Sequence, residues 1–191
     1  MASKPGERRL QILQTLAAML ETPQGEKITT AALAARLQCS EAALYRHFAS
    51  KAQMFEGLIE FIEQSLFTVI NQITRDQAQG LNQIEQIVGL LLRFAQKNRG
   101  MTRVLIGDAL VTEDDRLQDR INQLIDRIEA SLKQAFRVTV AQGRLPQETD
   151  AAARAGIVLA YVLGRWLRFA KSGFRRSPGE LFDQQAPFLI A

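Results

Sequence analysis

The chain has 191 residues, with 24 Lys/Arg against 20 Asp/Glu, one His and one Cys, for a formal net charge of +4; this accommodates one large domain or a small head on a larger body. A lone cysteine excludes an intrachain disulfide, and with a lone histidine it cannot supply a zinc-finger ligand set, so neither metal nor cofactor is expected. The longest strongly apolar windows, such as residues 157–163, are too short to span a bilayer and the start MASKPGERR lacks a hydrophobic signal region, which points to a cytoplasmic protein without membrane insertion.

The first predicted helix covers residues 7–21, with Leu10, Leu13, Leu16, Ala17 and Leu20 as its inward stripe. Arg8 and Arg9 stand at its start, either as a basic arm reaching phosphate or as a solvated end. Residues 23–25 break the chain. Thr29 or Thr30 then caps a helix that carries Leu33, Ala34 and Leu37 on one stripe and ends near Gln38.

After a short turn Ser40 caps a second helix, whose buried side is marked by Leu44 and Phe48, four residues apart. At about 100° per residue Ala42, Tyr45 and Arg46 fall away from Leu44 and face a partner. A small side chain admits a close backbone or a thymine methyl, a phenol offers a ring and a hydroxyl, and a guanidinium binds guanine or phosphate. Ser50 with Gln53 forms a capping box that starts a third helix at Lys51, where the macrodipole disfavours a cation and a nearby phosphate reverses that preference. The whole stretch reads as a helix-turn-helix, with an ordinary helical hairpin as the plain alternative.

From Ser50 to about residue 76 one long helix carries Phe55, Leu58, Ile59, Ile62, Leu66, Val69, Ile70 and Ile73 on a broad stripe. Phe61 lies about 120° off that stripe, which leaves it either packed by another element or exposed. The next helix, 81–98, buries Ile84, Val88, Leu91 and Ala95 and turns Leu90, Arg93 and Lys97 to another face; Arg99 and Gly100 are its stop signal. A short helix at 101–107 precedes a long one at 114–142, in which Leu117, Ile121, Leu124, Ile128, Leu132 and Ala135 recur at heptad-like spacing.

In the helix expected over 150–172, Gly156, Ala160 and Gly164 form a small-residue ridge beside Trp166, and residues 178–191 leave room for a final short helix. The ridge and the heptad face, including Leu124 and Ile128, suit either a symmetry mate or intrachain packing. A homodimer is favoured because one helix-turn-helix reads few bases, whereas a twofold pair places two heads about one DNA turn apart. The expected architecture is all-α: a three-helix head over residues 1–53, joined by the long helix to a dimerisation and partner-binding bundle over 54–191. Residues 1–53 hold seven basic groups (Lys4, Arg8, Arg9, Lys27, Arg36, Arg46, Lys51) against four acids (Glu7, Glu21, Glu26, Glu41), so most of the positive excess sits on the head, as phosphate neutralisation requires.

The Thr-led helix, the Ser-led helix and the ending Leu-Tyr-Arg-His-Phe-x-x-Lys together resemble the DNA-binding domain of the TetR family. The stretches SEAALYRHFASKAQMFEGLIEFIEQSL, MTRVLIGDAL and DRLQDRINQLIDRIEASLKQ are further similar to its nucleoid occlusion branch, over most of residues 28–135. The resemblance implies that Thr29, Thr30, Ser40, Ala42, Tyr45, Arg46, His47 and Lys51 contact double-stranded palindromic DNA. It also implies that Phe61, Leu90, Lys97 and Asn98 form a face for the C-terminal tail of the tubulin-like division protein FtsZ, on a protein associated with the nucleoid. His47 suits a phosphate contact or a partly buried structural role, and Tyr45 could also be a packing residue.

Three positions depart from the family pattern. Gln38 stands where such turns commonly have Gly, so a positive φ there carries about 1 kcal/mol of strain. Cys39 replaces an aliphatic and is expected as a small buried hydrophobe. Arg93 replaces a small residue on the partner face. A regulator released from its operator by a small ligand is the competing reading. An enzyme is not expected, because Asp114, Asp115, Asp119, Asp126 and Glu129 lie among Arg116, Arg120 and Arg127 as solvated ion pairs and no phosphate loop or nucleophile motif is present.

Overall fold

Helix periodicity is realised along the described chain: in a computed structural model residues 5–22 and 28–190 are described, Pro5 by its backbone alone, and among them regular structure is helical throughout. The helices are α1 (Pro5–Leu20), α2 (Thr30–Arg36), α3 (Glu41–Tyr45), α4 (Lys51–Asp76), α5 (Gly80–Lys97), α6 (Arg99–Leu105), α7 (Asp115–Ala141), α8 (Ala151–Lys171) and α9 (Phe182–Ile190). The expected break at 23–25, and the basic residues Lys4 and Lys27, lie outside the described residues. Two compact units emerge, one comprising Met1–Ile62 with Asn98–Ile121 and the other Glu63–Lys97 with Asn122–Ala191.

In the first unit α1 packs on α2 and α6. Ile12, Leu13, Leu16, Ala17 and Leu20 are buried, whereas Leu10, expected inside, is 40% exposed; Ile12 takes the inward place on that turn, so the stripe is rotated by two residues at its start. Burying each large aliphatic is worth about 1.5–3 kcal/mol. The α1/α6 contact also corrects the expected stop at Arg99 and Gly100. The break falls at Asn98 (φ −126°, ψ 67°), and Gly100 lies inside α6, because a Cβ there would overlap the Ala17 carbonyl oxygen. Arg103 of α6 closes the same junction, donating from Nη1 to the carbonyls of Leu20 (3.1 Å) and Thr22 (3.2 Å) and from Nε to Asp108 (2.7 Å). It thereby satisfies carbonyls that the end of α1 leaves without helical donors.

The capping box forms at the start of α4. The Gln53 amide donates to Ser50 Oγ (3.1 Å), while Gln53 Oε1 reaches back to the Ala49 N–H (2.9 Å). Of the expected α4 stripe every member is buried except Val69, which is half-buried, and Met54 and Phe67 join it.

In the second unit α5 packs on α8 and α9. Gly80 begins α5 at a close approach to α7: a Cβ there would meet Thr139 Oγ1 and come within 2.6 Å of the Ala135 carbonyl oxygen. The Gln142 side chain holds the crossing, accepting from the Gly80 N–H (3.1 Å) and donating to the Ala78 carbonyl (2.6 Å). In α8 Trp166 is fully buried and its indole N–H donates to the Leu91 carbonyl (3.1 Å). Leu124 and Ile128 are likewise buried within the chain. All three therefore belong to the chain's own core, which corrects their expected place at a dimer contact; a side chain without exposed surface has none to offer a second copy.

Gly100→Ala is expected to destabilise the protein by at least about 1–3 kcal/mol, since backbone opposes the added methyl on α1; an unchanged urea midpoint would sink this account. A second test is Asp150, the N-cap of α8. The N–H groups of Ala153 and Ala152 hold its carboxyl below the ordinary carboxylate range. The depressed folded value means that the cap stabilises above the unfolded value and loses this contribution as pH falls through the folded one. Asp150→Asn should flatten the stability profile on the acid side, where falling pH takes the cap through its depressed folded value, measured by urea titration at each pH.

Candidate nucleic-acid interface

The cap choice left open by the sequence falls to Thr29, in extended backbone (φ −104°, ψ 154°), whose hydroxyl accepts from the Ala32 N–H at 3.1 Å. Leu33, Ala34 and Leu37 are buried as their spacing predicts. The turn that follows turns left-handed at Gln38 (φ 51°), at a cost of about 1 kcal/mol for a side chain with a Cβ. Two bonds offset it, Gln38 N–H to the Ala35 carbonyl (3.1 Å) and Cys39 N–H to the Ala34 carbonyl (3.0 Å), the paired pattern that closes many helix ends. Cys39 is only half-buried, which corrects its expected burial: it sits on the turn itself.

Ser40 caps α3, its hydroxyl accepting from the Ala43 N–H at 3.2 Å. The helix is shorter than its hydrophobic spacing suggested. It ends at Tyr45, and Arg46 is its C-cap. His47 and Phe48 follow in a turn that keeps helical bonds, His47 N–H at 2.8 Å and Phe48 N–H at 3.1 Å both reaching the Leu44 carbonyl. Leu44 and Phe48 are buried, while Ser40, Ala42, Tyr45 and Arg46 are exposed beside exposed Thr29, and Thr30 and His47 are half-buried.

Three side chains organise this surface through contacts that the sequence did not announce. Arg9 donates to the His47 carbonyl at 2.6 Å and lays its guanidinium 4.2 Å from the centre of the Phe48 ring; it is therefore committed to the end of α3, while Arg8 donates to Gln11 at 2.6 Å. Glu41 accepts from the Thr30 hydroxyl at 2.5 Å, and the Tyr45 hydroxyl stands 3.5 Å from the same Thr30 oxygen. Glu113, before α7, pairs with Lys51 at 2.5 Å, the side chains being 22% and 11% exposed for Lys51 and Glu113. Lys51 thus has a carboxylate partner already, where the sequence left its charge for a phosphate to answer. These pairs join residues 38, 11 and 62 positions apart, so no local pattern announces them.

The eight residues proposed for DNA lie within the first unit. Of the others, half-buried Phe61 on α4 and half-buried Asn98 belong to that unit as well, whereas half-buried Leu90 and exposed Lys97 lie on α5 in the second. Arg93 is exposed, its guanidinium folded back over Gly89. On α8 Gly156 is half-buried and Ala160 and Gly164 are exposed, next to Ile157 and Leu167, which are 58% and 48% exposed. A cavity of about 540 Å³ in the first unit is lined by Met19, Leu20, Ile28 and Phe55 together with Arg36, Arg103, Asp108 and Glu113. Among the described residues no helix is long and apolar enough to cross a membrane.

Residues 25–58 match the family model "Bacterial regulatory proteins, tetR family", and residues 78–191 match the SlmA-like "Tetracyclin repressor-like, C-terminal domain". The chain is 50% identical over 184 residues to the nucleoid occlusion factor SlmA of Alteromonas mediterranea, covering 96% of this chain and 94% of that protein. The chain belongs to the SlmA family of TetR-type proteins. It is likewise 51% identical to SlmA of Cronobacter sakazakii over 185 residues, 96% of this chain and 93% of that one. Among solved structures, a TetR-family transcriptional regulator from Agrobacterium tumefaciens superposes with a TM-score of 0.80 at 19% identity, covering 98% of this chain and all of that one (100%), a likeness of fold alone.

Arg9→Ala removes a charge-assisted bond and a cation–π contact from the turn after α3, and should cost about 1–2 kcal/mol of stability. An unaltered urea midpoint would mean that the turn is held by Leu44 and Phe48 alone.

Proposed function

We propose that this protein is a nucleoid occlusion factor: a homodimer that binds palindromic chromosomal DNA in the cytoplasm and, on the nucleoid, antagonises assembly of the FtsZ ring by engaging the FtsZ C-terminal tail. The observation that carries the reading is the half-identity to SlmA proteins across nearly the whole length of both chains. The exposed side of α3 supports its DNA part. A five-residue helix with Ala42, Tyr45 and Arg46 outward presents one close-approach point, one ring and one guanidinium, a set that suits base edges in the major groove. Thr29, Thr30 and Ser40 lie at the starts of two helices, where backbone N–H groups and the hydroxyls of Thr29 and Ser40 are placed to meet phosphate. His47 and Lys51 flank the far end and serve the backbone.

For the dimer, the outer face of α8 with Gly156, Ala160 and Gly164 supports close helix approach, with Ile157 and Leu167 supplying apolar area. For FtsZ, the proposed contacts are Phe61, Leu90, Lys97 and Asn98, with Arg93 adding a positive charge that favours an acidic tail. DNA and FtsZ act together through linkage: whichever arrangement DNA favours, the tail must bind more tightly for coupling to exist. Control by a small ligand is the weaker reading, since the relatives at half-identity are nucleoid occlusion factors.

Binding of a labelled FtsZ C-terminal peptide, with and without a palindrome selected from random DNA, tests the proposal. Tightening on DNA, and loss of peptide but not DNA binding in Phe61→Ala, is the expected result; no peptide binding in either state, with DNA affinity intact, refutes the FtsZ part. Lys51→Ala should weaken binding to every DNA sequence and reduce the salt slope by about one phosphate per head. Glu113→Gln, which frees Lys51 from its carboxylate, should do the reverse and tighten binding to all sequences; weaker binding would show that Glu113 is needed to aim Lys51.

A further inference from the structure

The Glu41 carboxylate is the one acid in the outer helix-turn-helix surface from residue 28 to 51. A negative group facing phosphate opposes binding, so its presence calls for a physical reason. Its place at the first turn of α3 suits the helix dipole, yet Ser40 already caps that helix through the Ala43 N–H. What Glu41 does alone is reach across to α2. There it accepts a hydrogen bond from the Thr30 hydroxyl at 2.5 Å. With that proton committed, Thr30 Oγ1 turns its lone pairs outward, and the Tyr45 hydroxyl stands within 3.5 Å of it. Tyr45 is 45% exposed, and among the described residues Thr30 Oγ1 is the hydrogen-bond partner of its hydroxyl.

We propose that Glu41 is a positioning residue that sets DNA specificity: through Thr30 it orients the Tyr45 phenol, and its charge disfavours complexes in which that orientation gains nothing. The inference rests on the DNA-binding reading of this head. On non-cognate DNA the contacts are mostly phosphate, so the carboxylate only repels. On the cognate site an aligned Tyr45 offsets that repulsion by base contacts, each good contact giving discrimination of about 1–3 kcal/mol. Specificity is thereby raised by penalising the wrong partner as well as by rewarding the right one.

The experiment measures affinity of the full-length protein for a selected palindrome and for a scrambled duplex of equal length, across a salt series, with melting temperature recorded for every variant. Glu41→Ala should lower the ratio of cognate to scrambled affinity by about tenfold, while affinity for scrambled DNA rises a few-fold. Glu41→Gln, which keeps an acceptor for Thr30, should show the same rise on scrambled DNA but hold most of the ratio. Thr30→Val should lose the ratio without the rise, and combining it with Glu41→Ala should lower the ratio no further. A parallel loss on both duplexes in Glu41→Ala and Glu41→Gln, or an unchanged ratio in Glu41→Ala and Thr30→Val, overturns the proposal. Arg46→Ala separates the two levels: if it leaves binding of both duplexes intact, the DNA reading of the head fails, whereas its expected loss beside an inert Glu41→Ala rejects the Glu41 role alone.

Discussion

A helix of five residues has no stability of its own, because the cost of fixing its first turn is recovered only by propagation or by packing. The orientation of α3 therefore depends on one constraint, the burial of Leu44 and Phe48 against the head, with Leu33 and Ala34 of α2 buried beside it. Burial of four apolar side chains of this kind is worth several kcal/mol, enough to hold a short segment rigidly though not to define the end of its last turn. That end is set by Arg9, which binds the His47 carbonyl and covers the Phe48 ring. The outward directions of Ala42, Tyr45 and Arg46 follow from these anchors, since on one helical turn the inner residues fix the outer ones.

Three cations of the first unit are held by partners within it. Lys51 has Glu113, Arg103 has Asp108, and Arg9 has a backbone carbonyl. Binding to DNA at such a surface is an exchange of partners, and the net gain for each cation is its phosphate contact less the pair it leaves. For Lys51 the exchange is finely balanced, because its ammonium carries three donors and Glu113 occupies one. A modest basic excess on the head favours phosphate, and each internal acid that a cation must leave lowers the net gain.

Much of this fold is legible in the chain. The helices follow from their apolar stripes, and the caps at Ser40 and the Ser50/Gln53 box were marked by side chains that accept from nearby N–H groups. Those signals are local and so can be read locally. Gly100 misled because glycine has two uses: it ends helices, and it lets two backbones approach; only the position of the Ala17 carbonyl decides between them. Leu10 and Ile12 compete for one inward place at the start of α1, and tertiary packing chooses. The side chains that hold the candidate DNA surface, Arg9, Glu41 and Glu113, each meet a partner on another helix or loop. A charged residue has no periodicity that reveals its partner, which is why the outward direction of Ala42, Tyr45 and Arg46 was foreseen and these partners were not.

The ridge on α8 shows how far helix geometry alone can go. Gly164 and Trp166 are two residues apart, so they project about 200° from each other around the helix. They cannot share a face. Trp166 went to the core, where its indole N–H needs a partner and finds the Leu91 carbonyl, and the small residues were thereby turned outward, with open space where a Cβ at Gly164 would stand. The same reasoning removes Leu124 and Ile128 from any contact with a second copy, since the stripe they share runs through the core. What remains for a twofold contact is a face of small residues flanked by Ile157 and Leu167. Such a face has little apolar area for each residue, but it lets two helices approach more closely than bulky side chains would allow. A twofold contact proposed on such a face would draw its strength from dispersion between close-packed backbones, and would depend steeply on side-chain volume at Ala160 and Gly164.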